Sequence, residues 1–136
     1  MTETEADRAA QVEAAADDLV ASFASHDRER YFDAFTVEAT FVFHTSAQIL
    51  TARSAYEQEW SKWEADGFHV DSCTSTERRI DLVTPDVAIL THSVTTQIRG
   101  VDQAQRERET IVFRRTQGRW LAVHEHLSLD PRSEGS

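Results

Sequence analysis

Two histidines at alternate positions, His124 and His126, stand beside Ser128 in the segment Arg-Trp-Leu-Ala-Val-His-Glu-His-Leu-Ser-Leu-Asp-Pro that runs from Arg119 to Pro131. Successive residues of a strand point to opposite faces. An uninterrupted strand here puts Trp120, Ala122, His124, His126 and Ser128 on one face and Leu121, Val123, Glu125 and Leu127 on the other. An imidazole titrates near neutral pH and suits proton transfer, so His126 or His124 is the candidate general base. The competing assignment makes one ring a hydrogen-bonded structural histidine and the other a residue of a subunit interface. His44 and His92 are the further histidines that could join them in a cavity, and each could equally be hydrogen-bonded structure. With either one, the pair would offer three nitrogens to an open zinc site, but no acidic ligand lies at a supporting spacing, so no metal is expected.

Arg108, Thr110 and Val112 share a second strand face. Were that face concave, the Arg108 guanidinium could clamp a carboxylate, phosphate or enolate oxygen, with Thr110 beside it. In the alternative, Arg108 pairs with Glu125 or another surface acid, a contact worth about 0–1 kcal/mol when exposed. Tyr56, Trp60 and Trp63 recur at i, i+4 and i+7 of a helical segment, which makes them core residues, the wall of a pocket for a flat or hydrophobic ligand, or both. Tyr31 could add a hydroxyl. No inward carboxylate is expected, because Glu125 has the opposite parity to the histidines and Glu38, before the first strand, suits a turn.

These side chains need elements to hold them. Ala9, Val12, Ala16, Leu19, Val20 and Phe23 recur at spacings of three and four, which predicts an amphipathic helix over Glu3 to Ala24. Ser25 or Asp27 can cap a second, shorter helix bearing Tyr31, Phe32 and Phe35. Thr40 to His44 alternates like a strand, with Gln48 to Thr51 as the other arm of a small hairpin. A third helix runs from Ala52 or Ser54 to Asp66 and stops at Gly67. Beyond Phe68 the chain reads as four strands, His69 to Val83, Asp86 to Arg99, Arg106 to Thr116 and Trp120 to Ser128, punctuated by Thr84-Pro85, Gly100-Val101-Asp102 and Gln117-Gly118. The predicted fold class is α+β, a single domain with three helices packed on a curved antiparallel sheet, its core spanning about residues 7–131 and its polar end fraying.

Composition narrows the partners. A net charge of −10 disfavours sequence-independent nucleic-acid binding and anionic membranes, both of which depend on clustered Lys and Arg. The 136 residues suit one domain, and with Cys73 as the single cysteine no intramolecular disulfide or zinc ribbon can form. There is no apolar run of membrane-spanning length and the first residues are acidic and alanine-rich, so a cytoplasmic protein is expected. Lys62 is the only lysine among 14 basic residues, a bias that points to a GC-rich bacterial genome.

The order helix, helix, hairpin, helix, four long strands resembles the nuclear transport factor 2-like superfamily and, within it, the SnoaL-like bacterial proteins. Three local patterns carry the resemblance: His26-Asp27 before Thr40-Phe41-Val42-Phe43; Arg53-Ser54-Ala55-Tyr56; and Arg108-Glu109-Thr110-Ile111-Val112-Phe113-Arg114-Arg115, followed by Gly118-Arg119-Trp120 and His124-Glu125-His126-Leu127-Ser128. The resemblance implies a cone-shaped barrel around a largely apolar cavity, dimerising through the convex face of its sheet. It implies no single activity, since such proteins include isomerases, cyclases, dehydratases, epoxide hydrolases and oligomerisation domains. The expected function is thus a cofactor-independent lyase or isomerase acting on a small hydrophobic or aromatic molecule, with His124, His126 and Arg108 catalytic. The alternative is a non-catalytic ligand-binding or oligomerisation module.

Overall fold

A computed structural model describes residues 2–133. Helix α1, Glu5–Ala24, starts at a reciprocal cap in which the Thr4 hydroxyl accepts from the Asp7 amide and the Asp7 carboxylate accepts from the Thr4 amide. Its buried stripe is Val12, Ala16, Leu19 and Ser22. A left-handed His26 (φ 55°) turns the chain into α2, Arg28–Asp33, whose first turn is capped by the Asp27 carboxylate. Phe35, expected on this helix, instead opens β1, Phe35–Phe43. Helix α3, Arg53–Ala65, ends at Gly67, where φ is 98°.

The remaining strands are β2, Val70–Thr84, β3, Val87–Ile98, β4, Gln105–Thr116, and β5, Arg119–Leu129. They form one sheet in the order β1-β5-β4-β3-β2. Strands β2 to β5 are the expected antiparallel meander, but β1 joins the far edge parallel to β5, so the sheet is mixed. The chain between β1 and β5 includes α3 and the whole meander, and a connection of that length permits a parallel pair. The hairpin arm expected at Gln48 to Thr51 reduces to a single bridge between Phe41 and Leu50.

Helix α1 lies across β2 and α3 lies against β1, so all three helices cover one face. Trp60, Phe35, Phe41, Phe113, Leu90 and Ile111 fill the layer between them with no appreciable exposure. At the carboxyl end, fraying was expected, yet Asp130 is fully buried and accepts from the Arg132 backbone and guanidinium, while Arg132 also reaches Glu77. The neighbouring cation holds the Asp130 carboxyl far below its ordinary range. Residues 134–136 of that expected tail lie outside the described part. Among the described residues, no helix is long and apolar enough to cross a membrane.

One irregularity decides which side chains face the helices. Val112 pairs with His124 but Phe113 pairs with Ala122, leaving Val123 as an extra residue on β5. A β-bulge of this kind inverts the alternation beyond it. Trp120 and Ala122 face inward before the bulge, and Glu125 and Leu127 face inward after it.

Candidate functional site

Between the helices and the inner face of the sheet lies a cavity of about 130 Å³, a size that suits about one aromatic ring. Leu19, Val20 and Phe23 of α1, Tyr31 of α2, and Tyr56 and Trp63 of α3 wall it, with Phe43 and Phe68 closing the sides. Its acidic floor consists of Glu107 and Glu109 of β4 and Glu125 of β5. The two β4 glutamates share the parity of Ile111 and Phe113, and Glu125 enters from the next strand because of the bulge.

Two of the three glutamates, Glu109 and Glu125, belong to one connected network. The Tyr56 and Tyr31 hydroxyls lie 2.9 Å apart, and Tyr31 donates to Glu125 Oε1 over a long 3.4 Å. Glu125 is hydrogen-bonded to Glu109, which requires a proton on one of the two carboxyls. Burial, and then the Glu109 charge, push the Glu125 carboxyl well above its ordinary range, so Glu125 is the donor. Glu109 is raised as well, by burial first, and is held on its other side by His92 Nε2 at 2.6 Å.

The proton on His92 is placed by its neighbours. Arg78 Nε donates to Ser75 Oγ at 2.8 Å, which leaves the Ser75 hydroxyl to donate to His92 Nδ1 at 2.6 Å. His92 must therefore carry its hydrogen on Nε2, facing Glu109. Burial and the positive Arg78 lower its pKa to about 4, so the ring is neutral. Arg78 is itself clamped by Glu13 and Asp17 of α1 at 2.7 and 2.6 Å. Glu107 has a separate partner, His44 Nε2, at 2.5 Å; burial raises its pKa and the His44 bond opposes that rise.

The expected catalytic residues lie elsewhere. His124, His126, Arg108 and Thr110 occupy the outer face, where Thr110 stands opposite His126, and none lines the cavity. His124 Nδ1 bonds Thr40 Oγ1 at 2.7 Å, and its pKa is lowered by burial and by His126. Arg108 is 57% exposed, with its guanidinium 3.9 Å from Asp130. The expected convergence of His124, His126 and Arg108 is corrected on this ground. Of the aromatic wall, Tyr56 and Trp63 line the cavity, whereas Trp60 is wholly buried behind them. His44 and His92 do not line it directly but stand behind Glu107 and Glu109.

The expectation of a cavity without inward acids is likewise overturned. Its sequence signal was present in part: Glu107 and Glu109 alternate in register with Ile111 and Phe113, which are too large and apolar to point outward. Glu125 had no such signal, because its direction depends on the bulge. Cys73 is a lining residue rather than a nucleophile, its thiol pushed up to about 11 by burial. Among the described residues, no group of His, Cys, Asp and Glu is arranged to hold a metal ion.

Chemically, the site joins a neutral carboxylic acid, a paired set of phenols and an ionisable carboxylate around an apolar space. Burial pushes both phenols well above their ordinary range, which keeps them as donors.

Comparisons with known proteins agree with this architecture. The chain is similar throughout to a cystatin-like-fold protein of unknown function from Nostoc punctiforme, at 17% identity and a TM-score of 0.75, with 100% of each chain covered. It is similar to an NTF2-like protein of unknown function from Pseudomonas putida, at 17% identity and a TM-score of 0.73, covering 89% of this chain and 87% of that one. A Catenulispora acidiphila structure in complex with S-DNPA matches at 17% identity and a TM-score of 0.77, covering 97% and 100%. No curated protein matches the sequence. The model of the SnoaL-like domain matches residues 12–131. On that match, and on the mixed five-stranded sheet with its helix-covered cavity, the chain belongs to the SnoaL-like family, within the NTF2-like fold.

Proposed function

We propose that the cavity carries out cofactor-independent proton transfer, of the lyase or isomerase type, on a small, largely aromatic or apolar molecule bearing a carbonyl oxygen. The observation that supports this best is the convergence of Glu107, Glu109 and Glu125 with the Tyr31–Tyr56 pair on one apolar space. A lining carboxylate removes a proton alpha to the carbonyl. The long Tyr31–Glu125 contact is the link a ligand oxygen displaces, and the freed donors stabilise charge developing on it. Water exclusion by the aromatic wall strengthens both effects. The base is thus a glutamate rather than a histidine. Among the described residues no Lys or Arg lines the cavity, which favours a neutral ligand over an anionic one and leaves the role expected for Arg108 without a counterpart.

The S-DNPA complex of the Catenulispora acidiphila protein supports ligand binding by this fold. The test is a thermal-shift screen of small aromatic ketones against wild type and Tyr31→Phe. A ketone that stabilises wild type by mass action and shows weaker stabilisation of the variant supports the reading. Equal shifts in both proteins would remove Tyr31 from the site.

We also propose a homodimer through the outer sheet face, where the paired Val112 and His124 are only half-buried in the monomer. Light scattering that returns a monomer at micromolar concentration would refute it.

A further inference from the structure

We infer that Glu107 is the base of this cavity and His44 its positioning residue, while the Glu109–Glu125 pair is a fixed acid. This rests on the proton-transfer reading above and assigns its roles.

Three glutamates line the floor, but their oxygens are not equally free. Glu109 lies between His92 Nε2–H and the Glu125 carboxyl, two donors that hold its charge in place. A proton arriving on Glu109 would weaken both bonds, because a carboxylate accepts them more strongly in its ionised form. The His92 branch behind it cannot relax either, because it runs through Ser75 to Arg78, whose guanidinium does not deprotonate and is clamped by two α1 carboxylates. Glu125 already holds a proton. Neither is therefore placed to accept one from a ligand.

Glu107 differs in geometry. Its side chain is 8% exposed, its Oε2 is held by His44, and its Oε1 has no hydrogen-bond partner among the described residues while the residue lines the cavity. One anchored and one open oxygen is the arrangement a general base needs, because the anchor sets direction and the open lone pairs meet the proton. His44 is delivered by the end of β1, where its amide donates to Leu127 O on β5, so three neighbouring strands define the dyad. The other titratable groups around Glu107 are Glu109, Glu125, Cys73, Tyr31, Tyr56 and His92, and α1 presents only apolar side chains to the cavity. His44 is thus the partner that favours the ionised form of Glu107.

A reaction that needs only a base and an aromatic-sized pocket tests this without knowledge of the natural substrate. In 5-nitrobenzisoxazole, a carboxylate takes the C3 proton, the C–H electron pair forms the nitrile, and the N–O bond breaks to release a coloured phenolate. With the 136-residue chain, the rate exceeds that of free acetate, and Glu107→Gln lowers kcat by about 100-fold or more at every pH, a larger loss than in Glu109→Gln. His44→Phe moves the acid limb of the pH–rate profile upward by about one unit and keeps the high-pH plateau. His44→Gln, which retains a donor, stays close to wild type. Thermal midpoints confirm that each variant is folded.

A full rate in Glu107→Gln with loss in Glu109→Gln would overturn the assignment while leaving proton transfer in the cavity intact. An equal loss at all pH values in His44→Phe would reduce His44 to a structural residue and overturn its positioning role. A wild-type rate no greater than that of acetate would overturn the proton-transfer reading and this inference together.

Discussion

His92 shows how a side chain's chemistry follows from its neighbours rather than from its type. It is the most buried histidine of the fold, with a side chain 0% exposed, and it is locked by Ser75 on one nitrogen and Glu109 on the other. Nitrogen-15 shifts are expected to report an Nε2–H tautomer that does not titrate above about pH 5, given its lowered pKa of about 4. The stability consequence has a definite sign. A base with a depressed folded-state pKa binds fewer protons folded than unfolded, so its contribution is present above about 6.5 and is lost as pH falls toward 4. Urea unfolding of wild type and His92→Gln should show that difference narrowing by about 3 kcal/mol between pH 7 and pH 4. A pH-independent difference would contradict the assigned neutral ring.

The elements carry the decision about direction. Strand β5 looks regular in the sequence, and strict alternation from Trp120 to Ser128 sends both histidines inward, yet the bulge at Val123 sends Glu125 inward instead. Deleting Val123 would restore alternation and force either Trp120 or Glu125 to change face. The expected outcome is loss of cooperative unfolding, whereas Val123→Ala should remain folded; a stable deletion variant would mean that the bulge is dispensable. The α3 terminus gives a milder case. Gly67 has φ 98° and nothing within 4 Å of where a Cβ would sit, so Gly67→Ala should cost only the backbone strain, about 1 kcal/mol. On α3 itself, Trp60→Ala should cost about 3–5 kcal/mol because the ring is wholly enclosed. Trp63→Ala should cost less and instead weaken ligand binding, since its ring walls the cavity. Chemical denaturation paired with ligand-induced thermal shifts separates the two tryptophans.

The whole molecule keeps three glutamates away from water in one place, and this sets a pH dependence opposite to that of His92. Glu107, Glu109 and Glu125 all have folded-state pKa values raised chiefly by burial. A raised acid binds more protons folded than unfolded, so its effect is most favourable below about 4.5 and stability declines as pH rises through the folded pKa. Glu125→Gln removes the most strongly raised of them and keeps a donor toward Glu109. Its thermal midpoint relative to wild type should therefore be higher at pH 8 than at pH 5; a constant offset would show that Glu125 is not held protonated. The net charge of −10 acts in the same direction, because self-repulsion grows as carboxyls ionise.

Much of this molecule is determined locally, and that part is legible in the chain. Periodicity of 3.6 or 2 separates α1 and α3 from β2 to β5 within a residue or two, Asp27 and Gly67 mark helix ends, and the pattern of elements implies the α+β class. The Tyr56 and Trp63 wall is equally legible, being one helical face. Three matters were decided only by tertiary structure. The parallel pairing of β1 with β5 depends on which sheet edge is open after the meander has formed. The direction of β5 beyond Val123 depends on register against β4, and one extra residue exchanges two imidazoles for a carboxyl. The protonation pattern of the floor depends on desolvation and on the Arg78–Ser75–His92 chain, which joins residues distant in sequence. Local propensity acts over a few bonds, whereas register, burial and charge coupling exist only once remote segments are in contact.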